Sequence, residues 1–139
     1  MGRILGLDYG SKRTGVAYTD ELQISINPLP TQQTAELWEF LKSIIPEKEI
    51  VHVIMGYPTH ADGTPTSLTK QIESLADKIK SKFEGIEVSF VDESFSSVEA
   101  RNNLIQMGVK KKVRRNKESI DQASAVVILK SFLDKKYNL

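Results

Sequence analysis

The chain has 139 residues with 19 basic and 18 acidic side chains, and this near-balance excludes a polycation that binds nucleic acid over its whole surface. The absence of cysteine excludes disulfides and thiolate metal sites and favours a reducing compartment. No apolar stretch approaches the roughly 20 residues that span a bilayer, and no secretory signal is visible. We therefore expect a single cytoplasmic domain over residues 1–139 with no membrane partner.

The amino-terminal part of the chain has the pattern of three short strands. Residues 3–8 form an apolar run that ends in a carboxylate, and residues 14–19 pair with this run across a glycine turn. A weaker third strand over residues 23–29 is closed by two prolines. Three adjacent strands at this spacing predict an antiparallel meander.

Helices and strands alternate in the rest of the chain, since apolar residues recur at helical spacing between short apolar runs. The predicted elements, in chain order, are a helix over 34–45 that Pro46 ends, a buried strand over 50–55, a loop over 56–65, a helix over 67–84, a strand over 87–91, a helix over 97–107, a basic loop and a final helix over 119–136. Strands joined through helices are normally parallel. The order therefore predicts an α/β fold of the ribonuclease H-like plan, a mixed five-stranded sheet with helices on both faces.

Three carboxylates mark a candidate site. Asp8 ends the first strand, and Asp92 and Glu93 follow the fifth, at the carboxyl ends where open α/β sheets bind ligands. Asp121 lies near the start of the last helix and heads its apolar stripe. An alternative for Asp121 stays open, because this helix start also fits a capping box in which an acid stabilises the first turn.

Clustered carboxylates repel one another, and a buried acid needs a partner or a cation. Oxygen-only ligands favour Mg²⁺ or Mn²⁺ over Zn²⁺. Two such ions can activate a water and stabilise the leaving oxygen of a phosphodiester. The sequence therefore predicts a catalytic Mg²⁺ or Mn²⁺ site at Asp8, Glu93 and Asp121.

A basic segment precedes the last helix, with six positive charges in the eight positions 110–117. Such a run is either a solvated loop or a contact to a phosphate backbone. Beside a site of phosphate chemistry the second interpretation is favoured. We expect substrate binding by Lys110, Lys111, Lys112, Arg114 and Arg115.

Four motifs spread over essentially the whole chain carry a resemblance to a known family. They are Asp8-Tyr9-Gly10-Ser11-Lys12-Arg13-Thr14-Gly15-Val16-Ala17, Gly56-Tyr57-Pro58 with Asp62-Gly63-Thr64, Asp92-Glu93-Ser94-Phe95-Ser96-Ser97, and Asp121-Gln122-Ala123-Ser124-Ala125. With them the chain resembles the YqgF family of pre-16S rRNA nucleases and Holliday-junction-resolvase-like proteins. The resemblance implies Asp8, Glu93 and Asp121 as catalytic carboxylates and Arg13 as a phosphate contact.

The chain departs from the family's pattern after the Asp-Glu pair. The family often has arginine there, and this chain has Ser94, so a planar bidentate phosphate donor is lost. Compensation by Arg101 or by the basic segment stays open.

Two aromatic residues come into question as stacking surfaces. Tyr9 either stacks on a base or packs on the turn. The helical pattern around Trp38 predicts a core or half-buried surface residue rather than a stacking platform.

Three functions compete at this point. The first is a metal-dependent nuclease acting on structured nucleic acid, most specifically in 5′ end processing of precursor 16S rRNA, with branched DNA such as a Holliday junction as the variant. The second is an ATP-binding module, since Asp8 and Gly10 also look like the phosphate hairpin of the actin superfamily, although one domain is too short to close over a nucleotide. The third is a non-catalytic nucleic-acid-binding factor. The intact carboxylates favour the nuclease, and we expect it to act as a monomer or weak homodimer.

Overall fold

The computed structural model describes residues 2–57, 68–92 and 117–136, the last range without the side chains of residues 117–121. The elements are β1 (Arg3–Asp8), β2 (Arg13–Thr19), β3 (Ile26–Gln33), a 3-10 turn (Thr34–Glu36), α1 (Leu37–Glu47), β4 (Ile50–Tyr57), α2 (Thr69–Lys82), β5 (Glu87–Asp92) and α3 (Lys117–Lys136). Within these ranges, each helix is too short or too polar to cross a membrane. The predicted helix over 97–107 and most of the basic segment lie outside the described residues.

The strands form one mixed sheet in the order β3-β2-β1-β4-β5. β1 pairs antiparallel with β2, and β2 with β3, which confirms the meander. β1 pairs parallel with β4, and β4 with β5, as expected for strands whose connections contain helices. Since β1, β4 and β5 run the same way, they end along one side of the sheet, at Asp8, Tyr57 and Asp92, which we call the carboxyl edge.

Helices cover both faces of the sheet, as predicted. Successive residues of a strand point to opposite faces, so Leu5 and Leu7 pack in the buried cluster beneath α1 and α2. Ile4 lies on the other face, in a second buried cluster with Leu129 of α3. Gly6 shares that face, and a Cβ added to it would lie 2.5 Å from Leu129 Cγ. The absence of a side chain at Gly6 therefore lets α3 pack directly against β1.

The third strand differs from the prediction. β3 spans Ile26–Gln33, so Pro28 and Pro30 lie within the strand and do not close it. Proline lacks the N–H donor that a central strand needs for both of its neighbours. β3 is an edge strand of the sheet, and a missing donor on its outer side breaks no ladder bond. The prediction was wrong because edge position is a property of the whole sheet.

Other boundaries shift by a few residues. Pro46 lies inside the last turn of α1, which continues to Glu47 and closes with a 2.9 Å bond from the Lys48 N–H to the Ile44 carbonyl. Proline removes a helical donor and crowds the preceding turn, and Glu47 is the only residue of α1 that follows Pro46. β4 runs two residues beyond the predicted strand, to Tyr57. This extension brings β4 level with the ends of β1 and β5.

His52 of β4 links the sheet to the carboxyl-terminal half of α3 through its side-chain contacts. Its Nε2 lies 2.8 Å from Ser89 Oγ, and its ring meets that of Phe132 edge-on with centroids 5.0 Å apart. Burial lowers the pKa of His52 from its usual value of 6.5; the nearby Glu87 carboxylate opposes this effect and Lys136 adds to it. The neutral imidazole is therefore the form that the folded protein favours.

Candidate functional site

Asp8 is the last residue of β1 and lies half-buried at the carboxyl edge. By strand alternation it shares with Ile4 and Gly6 the face that α3 covers. Its backbone pairs with Gly15 of β2, which carries no side chain beside it. The carboxylate therefore lies at the end of the sheet, on the α3 side, with no bulky group at its cross-strand neighbour.

Thr34 holds the turn that follows Asp8. Its hydroxyl donates to the Gly10 carbonyl at 2.7 Å and lies 2.9 Å from Thr14 Oγ1, and its N–H donates to the Lys12 carbonyl at 2.9 Å. Gly10 is required in this turn because a Cβ there would collide with the carbonyl oxygen of Arg13. Sequence reasoning missed Thr34, whose only signal was its position at the start of a predicted helix.

Arg13 lies at the carboxyl edge, on the same face of the sheet as Asp8. It is the half-buried first residue of β2 and lies two positions before Gly15, so alternation places it on the α3 face. A guanidinium presents planar, paired N–H donors that match the oxygens of a phosphate. The predicted phosphate contact is consistent with this placement.

The chain leaves β5 at the carboxyl edge as well. Tyr57 and Asp92 are aligned at the ends of β4 and β5, and Asp92 is exposed. β1 and β5 are separated by two strand spacings, about 10 Å. Glu93 is the next residue and lies outside the described residues. The place of Glu93 in the site therefore stays a prediction.

The last helix starts near the same edge. Close to its beginning, Gln122 Nε2 donates to the carbonyl of Leu29 at 2.9 Å. Leu29 pairs with Val16 of β2, which in turn pairs with Leu7, one residue before the end of β1. At its other end, Lys136 Nζ lies 3.4 Å from Gln23 Oε1, and Gln23 Nε2 donates to the Gly2 carbonyl just before β1. α3 therefore runs antiparallel to β1 and begins on the side where β1 ends.

This orientation places the backbone of Asp121 at the carboxyl edge, about one helical turn beyond the level of Asp8. Leu129 lies over Gly6, and four helical residues advance about 6 Å while two strand residues advance about 6.6 Å. Ala125, which is fully buried, is thus level with Asp8, and position 121 lies one turn beyond it. α3 starts at Lys117, two residues before the predicted start, so Asp121 is in its second turn and the first-turn capping alternative loses its basis.

Tyr57 is at the carboxyl edge but on the opposite face. Its hydroxyl donates to Glu73 Oε1 of α2 at 2.7 Å, and its ring packs edge-on against Phe90. The hydrogen bond to the Glu73 carboxylate raises the pKa of Tyr57. Tyr57 is therefore a neutral side chain engaged with α2 rather than with Asp8.

The predicted donors are all carboxylate oxygens, and this chemistry suits Mg²⁺ or Mn²⁺. A half-buried acid at the end of β1, on the edge where β5 also ends, fits such an ion. Among the side chains that the structure describes, no three acidic or histidine residues group together. Glu93, Asp121 and the basic residues at 110–115 are not among those side chains.

Comparison with known proteins agrees with this arrangement. The family model RuvX, described as Holliday junction resolvase, matches residues 2–135. A protein of Phocaeicola vulgatus named "Putative pre-16S rRNA nuclease" is 40% identical over 136 residues, 98% of each chain. One of the same name from Christiangramia forsetii is 41% identical over 133 residues, 96% of this chain and 98% of its own. The crystal structure of the yeast mitochondrial Holliday junction resolvase Ydc2 has a TM-score of 0.54 at 12% identity, over 92% of this chain and 76% of that one, and confirms the predicted fold.

Proposed function

The chain belongs to the RuvX family, and from this membership we propose that it is a nuclease that hydrolyses phosphodiester bonds of structured nucleic acid. Its substrate in this proposal is the precursor of 16S rRNA, processed at the 5′ end in the cytoplasm by one domain over residues 1–139. The observation that carries the proposal is Asp8, a half-buried carboxylate at the edge where β5 ends and α3 begins.

In the proposed mechanism Asp8, Glu93 and Asp121 would hold Mg²⁺ or Mn²⁺. When bound, these ions supply Lewis-acid activation of water and stabilisation of the leaving oxygen. Arg13 binds phosphate oxygens of the substrate beside this site. Thr34 keeps the β1–β2 turn in one conformation, so that Asp8 and Arg13 hold their relative positions while the substrate binds.

The basic segment supplies the remaining affinity for the substrate backbone in this proposal. Each phosphate that a lysine or arginine neutralises releases counterions, so binding weakens steeply as salt rises. Such contacts orient a nucleic acid without reading its sequence. The segment also compensates for Ser94, which replaces the arginine that the family often has.

Branched DNA is the second candidate substrate. The family description and the fold shared with Ydc2 both favour it. A four-way junction has two equivalent cleavage positions, so a resolvase of this kind acts as a dimer with paired sites. Hydrolysis of rRNA needs only one site and is compatible with a monomer or a weak homodimer.

The test is cleavage of a labelled precursor 16S rRNA with Mg²⁺ or Mn²⁺, with and without EDTA. We expect Asp8→Asn to slow cleavage by about a hundred-fold or more, as when a group that stabilises developing charge is removed. Asp134→Asn is the matched control, because it makes the same chemical change near the far end of α3. EDTA should stop cleavage by the wild type and by this control.

Each of the alternative functions predicts a different result. Equal cleavage by wild type and Asp8→Asn would contradict the proposed site. RNA binding without cleavage by either protein would favour a non-catalytic factor, and cleavage of a four-way DNA junction alone would favour the resolvase. Tight ATP binding would support the nucleotide-binding module.

A further inference from the structure

A groove of about 450 Å³ opens between the start of α1 and one side of α2. Tyr9, the residue after Asp8, is one of its lining residues, so the groove adjoins the turn that follows the proposed catalytic carboxylate. Trp38 lines it from α1, and Lys70 and Lys78 line it from α2. It therefore continues from the carboxyl edge along the face of the sheet opposite to α3.

The groove combines aromatic surface with positive charge. Trp38 and Tyr9 are half-buried, and both lysines are exposed. Lys78 Nζ lies 4.5 Å from the centroid of the Trp38 ring, and the Tyr9 hydroxyl donates to Gln71 Oε1 at 3.3 Å. Among the described residues that line the groove, the charged ones are these two lysines and none is acidic.

This chemistry selects an unpaired nucleotide over a duplex. Aromatic faces beside cations are the combination that binds single-stranded nucleic acid, because every unpaired base has a free face to stack and a phosphate to neutralise. Bases inside a duplex are already stacked on their neighbours. Packing of Lys78 on Trp38 explains those two residues in the free protein, but it does not explain the groove that Tyr9 and Lys70 line together with them.

We propose that this groove binds an unpaired segment of the nucleic-acid substrate next to the bond that is cleaved. A base stacks on Trp38, and the flanking phosphates bind Lys70 and Lys78. Tyr9, held by Gln71, forms the boundary between the groove and the catalytic edge. This inference rests on the proposed nuclease function, and it adds that the substrate must carry a single-stranded stretch at the cleavage position.

Trp38 is the only tryptophan of the chain, so its fluorescence reports on the groove alone. The experiment titrates the full chain with a short oligouridine RNA and with a blunt RNA duplex, in EDTA so that nothing is cleaved. We expect the single strand to quench Trp38 and the duplex to leave it unchanged. Anisotropy of a labelled oligouridine measures total binding in parallel.

Lys70→Gln with Lys78→Gln should weaken single-strand binding and lower the slope of log affinity against log salt by about 1.4, since each phosphate contact contributes about 0.7. The matched control is Lys80→Gln with Lys82→Gln, which removes the same charge from exposed positions of α2 outside the groove. Trp38→Leu should weaken binding by about five- to 160-fold, the range for one stacked base. Circular dichroism verifies that each variant is folded.

Binding seen by anisotropy without quenching would place the RNA elsewhere and overturn the groove, while leaving the nuclease proposal intact. Equal quenching by the duplex, or equal loss in the control variant, would overturn it too. Quenching that depends on Lys70 and Lys78 in a protein that fails to cleave any substrate would support the groove and contradict only the nuclease.

Discussion

Alanine at Gly6 should push α3 away from the sheet. The added Cβ would lie 2.5, 3.0 and 3.1 Å from three carbons of Leu129, whereas carbon atoms in good contact are about 3.5–4.0 Å apart. Leu129 is fully buried and has no open side to move into, so the helix must shift by roughly the missing 1 Å. Overpacking of this kind lowers the free energy of unfolding by about 1–3 kcal/mol.

A double-mutant cycle isolates this contact. Leu129→Ala alone leaves a cavity and should cost about 2.7–5 kcal/mol. In the double variant the methyl group at position 6 enters the space that Leu129 has left, so the clash disappears. The double variant should therefore be less destabilised than the sum of the single variants, by about 1–3 kcal/mol.

Urea unfolding of the four proteins measures the cycle. Gly85→Ala is the control substitution, because Gly85 has a φ of +85° and nothing lies within 4 Å of an added Cβ. Its loss of unfolding free energy comes from backbone strain alone and should add to the loss caused by Leu129→Ala. Additivity of Gly6→Ala and Leu129→Ala within about 0.5 kcal/mol would refute the reasoning. If Asp121 acts with Asp8 as proposed, Gly6→Ala should also slow cleavage under conditions where it is folded, because a shift of α3 moves residue 121 relative to β1.

Three further outcomes follow from single contacts. Thr34→Val should lower the free energy of unfolding by about 1–2 kcal/mol in urea, because the turn after Asp8 loses its hydroxyl bonds; Ser43→Ala, exposed on α1, should change nothing. Because the pKa of His52 is lowered in the folded protein, its contribution to stability is fully present above about pH 6.5 and is lost as the pH falls below that value. His52→Gln should therefore make the free energy of unfolding decline less steeply with acid, and an unchanged slope would contradict this. Tyr57→Phe removes an exposed bond to Glu73 on the other face and should leave the cleavage rate unchanged, since Tyr57 does not face the site.

Local patterns predicted most of the elements. The apolar run over Arg3–Asp8 ends at a charged residue and a glycine turn, and its bounds in the structure agree with the prediction. The parallel direction of β1, β4 and β5 followed from connection rules, because a strand that returns through a helix lies parallel to its predecessor. Pro28 and Pro30 misled the prediction of β3, since their tolerance depends on which strand lies at the edge.

Part of the candidate site was likewise predictable from the sequence, and part of it was not. Parallel strands end along one side of a sheet, so the sequence by itself predicted that Asp8 and Asp92, the last residues of β1 and β5, come to the same edge. Only the tertiary structure decided the direction and start of α3, the hold of Thr34 on the Gly10 turn, and the groove beside Tyr9. These features depend on contacts between residues far apart in the chain, as between Gly6 and Leu129. A periodic pattern records which face of an element is buried, but the partner on that face is selected by the packing of the whole domain.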